Sequence, residues 1–332
     1  MEIINGSDRL PCIDRPLFLA LGNFDGIHRG HQSIIKATVN MAREEGGLSA
    51  VLILNPHPVI ALQPDKQMAL LTDIADRADI MRELGLDYLI LETFTMELAS
   101  YTPEQFILKI LHEKLKVSGL FIGSNYRFGR NGSGCSETLI NWGKKLGYSV
   151  QVSPIVRHKN RDVSSSLIRS LLLAGEVKEA ADYLNYYFYR QGRVIKGCGI
   201  GKTLVYPTAN IAVKKRLLWP AGGVYLTAVG NVDSGLKYGV TNVGARPTFD
   251  DFKESFAETH ILGFNGDIYG REIRLCFLEK LRETKQFASA EELRKQIAID
   301  IEESRSLLDY FRSERGGRGN SLQAGCSVLR SY

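Results

Sequence analysis

Leu17-Phe18-Leu19-Ala20-Leu21-Gly22-Asn23-Phe24-Asp25-Gly26-Ile27-His28-Arg29-Gly30-His31 joins a short apolar run to the start of a helix across a glycine-rich turn. The run has no polar alternation, the pattern of a strand covered on both faces. Gly22 ends it, and residues 32–45 read as a helix stopped by Gly46-Gly47. The same alternation continues outward. Residues 48–54 are a second buried strand, ended by Pro56 and Pro58. Thr72 is placed to cap a helix that runs to about Leu84, and residues 87–91 form a third strand. Thr102-Pro103-Glu104 opens a helix with a capping residue and a proline at its first position. Residues 117–122 are a fourth strand, 136–146 a helix and 148–152 a fifth strand. Short apolar strands alternating with helices predict a Rossmann-like α/β domain whose parallel sheet places ligands at the carboxyl ends of its strands.

Residues 164–174 and 176–184 read as two helices joined at Gly175. After Asn185 the texture changes. Strand-like, glycine-rich stretches at 188–195, 223–229, 237–243, 257–262 and 273–281 follow without helices between them. They predict a closed antiparallel β-barrel, with one helix over 289–308 after it. The expected domains are 1–184 and 185–312, followed by a Gly/Ser/Arg-rich, disordered tail over 313–332.

Composition fits this plan. Hydrophobic residues at 44% and charged residues at 24% of the 332 are those of a soluble globular chain. No apolar run approaches the roughly 18 residues of a membrane span, and Met1-Glu2-Ile3-Ile4-Asn5 lacks the basic-then-apolar pattern of a secretory leader. Cys12, Cys135, Cys198, Cys276 and Cys326 lack zinc or redox spacing, so free thiols and a cytoplasmic location are expected. The formal net charge is +5, and the tail from Phe311 concentrates Arg312, Arg315, Arg318 and Arg330 against Glu314. The remaining body is close to neutral, which favours small anionic ligands over nucleic acid or membrane. Any self-association is expected to be weak or transient.

His28 and His31 lie three apart, on one face at a helix N-terminus, where backbone N–H groups and the helix dipole attract phosphate. Gly22, Gly26 and Gly30 let a bulky phosphate approach the backbone. Histidine donors there can stabilise charge on a phosphorus under attack. A His-x-x-His pair alone also describes two surface histidines. A zinc site would need a third ligand, and none stands at recognisable spacing.

In context, Gly22 to His31 resembles the signature of the nucleotidylyltransferase superfamily and, in its flanks, the bacterial bifunctional riboflavin kinase/FAD synthetases. Three further segments carry that resemblance in order: Asn55-Pro56-His57-Pro58, Gly123-Ser124-Asn125-Tyr126-Arg127-Phe128-Gly129, and Ser164-Ser165-Ser166-Leu167-Ile168-Arg169. The resemblance implies catalytic roles for His28 and His31. It implies ATP or phosphate contacts at Gly22, Asn23, Phe24, Asp25, Gly30, His57, Asn125, Arg127, Ser164, Ser165, Ser166 and Arg169. Taken alone, the three serines would be only a helix cap.

The second half holds Gly197-Cys198-Gly199-Ile200-Gly201-Lys202-Thr203-Leu204 and Tyr206-Pro207-Thr208-Ala209-Asn210, with Glu258-Thr259-His260 downstream. The first of these lacks the spacing of a Walker A loop. Thr208 and Asn210 are two apart, so on an extended segment both side chains face the same way and offer neutral oxygens, while Glu258 can accept the proton of an attacking hydroxyl. In isolation Glu258 would be an exposed strand residue. The order of these segments, with Asn242-Val243-Gly244-Ala245-Arg246-Pro247-Thr248-Phe249, Phe264-Asn265-Gly266-Asp267-Ile268-Tyr269-Gly270 and Leu281-Arg282, resembles a riboflavin kinase domain. By that resemblance Gly199, Gly201, Lys202, Pro207, Thr208, Asn210 and Asn242 hold ATP or flavin, Thr208 and Asn210 bind Mg²⁺, and Glu258 activates the substrate hydroxyl. Val205, Cys198 and Asn55 depart from the family pattern. The implied reactions are riboflavin plus ATP to FMN, and FMN plus ATP to FAD and pyrophosphate. A nucleotidylyltransferase for another phosphate ester, or a catalytically silent nucleotide- or RNA-binding regulator, are the alternatives.

Overall fold

Six strands of the first half pair into one parallel sheet: β1 (Glu2–Asn5), β2 (Leu17–Leu21), β3 (Leu48–Asn55), β4 (Tyr88–Thr93), β5 (Gly119–Gly123) and β6 (Ser149–Ser153), in the order β1-β4-β3-β2-β5-β6. The computed structural model describes residues 1–12, 14–65, 68–196, 207–212, 216–233, 235–245 and 255–314. All five residues of β2 are buried, as an apolar run at the centre of a parallel sheet requires. Helix α1 (Arg29–Glu44) packs against β2, β3 and β5. Its buried Ile34, Ile35, Thr38, Val39 and Ala42 recur at the spacing of one helical face. From β2 the chain steps out to β3 and β4, then returns to β5 on the other side of β2. That reversal is a topological switch point. The β2–β5 pairing reaches Ala20 opposite Phe121, two residues before Gly22 and Gly123.

The remaining elements of this half are α2 (Pro58–Leu62), α3 (Ile74–Glu83), α4 (Met96–Ser100), α5 (Pro103–Phe106), α6 (Ser136–Leu146) and a hairpin of β7 (Arg157–His158) with β8 (Arg161–Asp162). Thr102 and Pro103 start α5 as expected, with a reciprocal cap between Thr102 and Gln105; wider, π-type turns then carry the chain over Ile107–Lys114. One cap differs from the expectation. Asp73, not Thr72, begins α3: its Oδ1 accepts the Asp76 N–H at 2.8 Å, and Asp76 returns the bond. The Thr72 hydroxyl instead accepts the Gly26 N–H at 2.9 Å. Strand β1 was not expected; it is four residues long, at the sheet edge, with one buried side chain.

The second half forms a closed barrel of β9 (Tyr189–Ile195), β10 (Ala209–Ile211), β11 (Gly223–Gly230), β12 (Lys237–Ala245), β13 (Ser255–Ile261) and β14 (Glu272–Arg282), ordered β10-β13-β12-β11-β14-β9. The expected antiparallel barrel is therefore present, with the three-residue β10 as an added strand. Phe277 fills its interior, with Tyr225 at 5.4 Å and Trp219 at 6.1 Å between ring centroids. Helix α9 (Ala290–Glu314) docks through Ile301 on Val224 and Val240, and through Asp300, which takes two bonds from Arg282 at 2.7 and 2.8 Å.

By compactness the chain divides into Met1–Ser165 and Ser166–Tyr332. Helices α7 (Ser165–Leu173) and α8 (Val177–Leu184) thus group with the barrel, apart from Ser165. The reason is local: α8 packs on β14, where Lys178 pairs with Glu279 at 2.7 Å. Cys12, Cys135 and Cys276 are free thiols. Cys198 and most of the expected tail, residues 315–332, lie outside the described residues.

Ile35 is fully buried beneath the sheet's central strands. Ile35→Ala should cost about 2–5 kcal/mol. Trp142 packs on the core of the first unit, so in a Trp219→Phe background its fluorescence during urea unfolding reports that unit alone. An unchanged midpoint would contradict the packing role.

Candidate functional site

Three of the sequence-predicted segments leave the carboxyl ends of adjacent strands: Gly22 to His31 follows β2, His57 follows β3, and Asn125 and Arg127 follow β5. They therefore meet along one edge of the sheet. His28 is the N-cap of α1, and its Nδ1 accepts the His31 N–H at 3.3 Å. Its remaining ring proton is then on Nε2, which leaves that nitrogen as a donor. The His28 and His31 rings stack at 3.7 Å, and an added Cβ at Gly30 would lie 3.3 Å from the His28 ring, so glycine gives the pair its space. Burial pulls the His28 pKa down to about 4 against the opposing pull of Asp25. Burial, then His28 and Arg77, hold His31 well below its usual value. Both rings are therefore neutral donors at neutral pH, and an arriving polyphosphate would raise their proton affinity.

Phe24 and Asp25, expected as nucleotide contacts, face the interior. Phe24 is fully buried, with its ring 5.2 Å from that of His31. The Asp25 carboxylate accepts the Leu71 N–H at 3.0 Å, the Thr72 N–H at 3.1 Å and a proton of Arg77 at 3.3 Å. Their work is to shape the turn. Asn23, Asn125 and Arg127 are exposed, and His57 is buried, where its Nδ1 accepts the Val59 N–H at 3.2 Å. The Ser165 hydroxyl donates to the Asp25 carbonyl at 2.8 Å, which brings this serine to the histidine turn; Ser164 is half-buried beside it in the chain. Ser166 and Arg169 belong to the second compact unit. Arg77, which the sequence reading did not single out, is tied to this turn throughout. Its one sequence signal is position: it shares the buried stripe of α3 with Met81, four residues on.

In the barrel, strand pairing sets Glu258 of β13 directly opposite Asn210 of β10 on one side and Asn242 of β12 on the other. Opposed residues share a face, with Cβ atoms about 4.5–5.5 Å apart. Asn210, Glu258 and Asn242 thus form one row across three strands. The Oδ1 atoms of Asn210 and Asn242 are buried and make no hydrogen bond. A buried acceptor left unpaired costs about 1–3 kcal/mol, so both await a donor or cation. Pro207 and Thr208 line a cavity of about 390 Å³ with Thr259, Ile261 and the stretch from Phe264 to Tyr269. Asn210 does not line it, because it points to the opposite face from Ala209 and Ile211. A contact of 3.0 Å between His260 Nδ1 and the Pro207 carbonyl holds the two segments together. Gly199, Gly201 and Lys202, with Val205 and the segment 246–249, lie outside the described residues. Among the described residues no three His, Cys, Asp or Glu cluster as metal ligands.

Comparison with known proteins bears on both sites. Residues 11–167 match the family described as FAD synthetase, and residues 184–308 that described as riboflavin kinase. The bifunctional riboflavin kinase/FMN adenylyltransferase of Pseudomonas fluorescens is 34% identical over 307 residues, covering 92% of this chain and 98% of its own. Its namesake in Escherichia coli K12 is 31% identical over 301 residues, covering 90% and 96%. The crystal structure of a macrolide-efflux protein from Streptococcus pneumoniae matches with a TM-score of 0.82 at 30% identity, covering 91% of this chain and 98% of that one. Among the described residues no helix is long and apolar enough to cross a membrane.

The His28 value yields a pH prediction. A folded pKa of about 4 against 6.5 means the unfolded chain binds the proton more tightly. The neutral-ring contribution is complete above the unfolded pKa and is lost as pH falls toward the folded one, by up to roughly 3 kcal/mol. Subtracting the urea stability of His28→Asn from that of the unsubstituted chain should give a difference that declines over this window. A flat difference would contradict a buried, neutral His28.

Proposed function

This chain belongs to the bifunctional riboflavin kinase/FMN adenylyltransferase family, and within it we propose a division of labour: adenylyl transfer at the histidine turn, phosphoryl transfer at the Asn210–Glu258–Asn242 row. The functional domains are then 1–184 and 185–312; the family matches end at residue 167 and begin at 184, and by compactness residues 166–184 group with the barrel. Substrates are riboflavin, FMN and ATP, with FMN and FAD as products. No nucleic acid or membrane is needed, and the reactions belong in the cytoplasm.

At the second site Glu258 takes the proton of the terminal ribityl hydroxyl as its oxygen attacks the γ-phosphorus of ATP, releasing ADP. Asn242 offers Oδ1 to a neighbouring substrate hydroxyl. Thr208 and Asn210 would hold Mg²⁺, a fit supported by the buried, unpartnered Asn210 oxygen; the ion, when bound, would neutralise phosphate charge. Lys202, Gly199 and Gly201 are assigned to the phosphates by family resemblance alone. At the first site the FMN phosphate attacks the α-phosphorus of a second ATP, and pyrophosphate leaves. His28 and His31 donate to the oxygens on which charge develops, with His57, Asn125, Arg127, Ser164 and Ser165 holding the nucleotide. Little covalent chemistry is asked of the protein; alignment and charge stabilisation carry the rate.

The observation that carries this reading is the in-register placement of Glu258 between two asparagines with open buried oxygens. Glu258→Gln should abolish FMN formation and leave FAD formation from supplied FMN. His31→Ala should do the reverse. Loss of both reactions from either substitution, in a folded protein, would refute the division. Asn242→Ala should raise the KM for riboflavin by roughly tenfold, the worth of one polar contact, with FAD formation from FMN intact; an unchanged KM would remove Asn242 from the substrate site.

A further inference from the structure

The turn between β2 and α1 is held in an unfavourable shape. Phe24 and Ile27 have φ of 49° and 31°, although both carry side chains and both are fully buried. Such residues cost about 1–3 kcal/mol each and persist only where their surroundings over-determine them. Arg77 supplies much of that constraint. It is 2% exposed, and a guanidinium so buried must have its hydrogens used. Nε donates to the Thr72 hydroxyl at 3.2 Å, Nη1 to the Asn23 carbonyl at 3.1 Å, and Nη2 to Asp25 Oδ1 at 3.3 Å and to the Thr72 carbonyl at 3.0 Å. Thr72 in turn takes the Gly26 N–H at 2.9 Å. One planar fork thus ties Asn23, Asp25 and, through Thr72, Gly26, which together span the turn leading to His28.

We propose that Arg77 is a positioning residue for adenylyl transfer, clamping the strained turn so that His28 and His31 are aimed at the triphosphate. This rests on the reading of the histidine turn as the adenylyl-transfer site. The charge of Arg77 adds a second effect, because it helps burial and His28 to keep His31 neutral, with Asp25 as the anion beside His28. Geometry and charge can be separated. Lysine keeps the charge but lacks the fork, whereas glutamine keeps part of the reach and loses the charge.

The test compares Arg77→Lys, Arg77→Gln and His31→Ala in the full chain, measuring FAD formation from FMN, the kinase reaction in the same samples, and the His31 imidazole titration by NMR. Arg77→Lys should lower kcat for adenylyl transfer by roughly ten- to a hundredfold, with the KM for ATP within about threefold, the kinase rate unchanged and the His31 titration unmoved. Arg77→Gln should lower kcat at least as far and shift the His31 titration upward. Where loss of the buried cation unfolds the first unit, Asp25→Asn decides, because it keeps an acceptor for Arg77 and should give a smaller loss confined to kcat. Unchanged kcat in Arg77→Lys or Asp25→Asn, alongside an inactive His31→Ala, would overturn the role of Arg77 alone. An active His31→Ala would overturn the site reading, and the clamp with it.

Discussion

Parallel pairing is the constraint on which the first site depends. Strands that run the same way present all their carboxyl ends at one edge. Because the chain reverses direction between β2 and β5, that edge opens into a crevice there. Gly22 to His31 leaves β2, and the loop bearing Asn125 and Arg127 leaves β5, so segments a hundred residues apart in sequence face one opening. The crevice would be of little use without a fixed turn. Asp25, buried and fully engaged by Leu71, Thr72 and Arg77, makes the turn a rigid mount for His28 and His31.

The barrel solves the same problem by register. Antiparallel pairing puts Asn210, Glu258 and Asn242 on one face at strand-to-strand spacing. A carboxylate there has an asparagine on either side in the row. The opposite face carries a different polar row: Thr227 donates to the Gly239 carbonyl at 3.1 Å, its oxygen meets that of Thr241 at 2.7 Å, and Thr241 bonds Thr259. These hydroxyls satisfy one another inside the barrel, which is why they are buried at no penalty, whereas the Asn oxygens are left open.

Much of this was legible in the sequence, and the exceptions have physical causes. The buried strands and α1 were clear because apolar runs and three-to-four spacing follow directly from packing. Strands β1 and β10 were missed because a short edge strand and a three-residue strand after Pro207 carry almost no periodic signal. Thr and Asp are both good caps, so the sequence does not choose between Thr72 and Asp73; only the fold shows that the Thr72 hydroxyl serves Gly26. The motif at Gly22 to His31 announces the histidines but does not separate ligand contacts from support, and the side chains of Phe24 and Asp25 face inward. Arg77 leaves only a cation on a buried helical stripe, and two of its acceptors, the Asn23 carbonyl and the Asp25 carboxylate, lie about fifty residues away in the chain.

The central claim is that one chain carries both flavin-forming reactions. The most direct measurement is to incubate purified full-length protein with riboflavin, ATP and Mg²⁺ and to resolve the flavins chromatographically over time. The account predicts that FMN appears first and FAD follows at its expense. A folded, metal-replete sample that leaves riboflavin unchanged would contradict it.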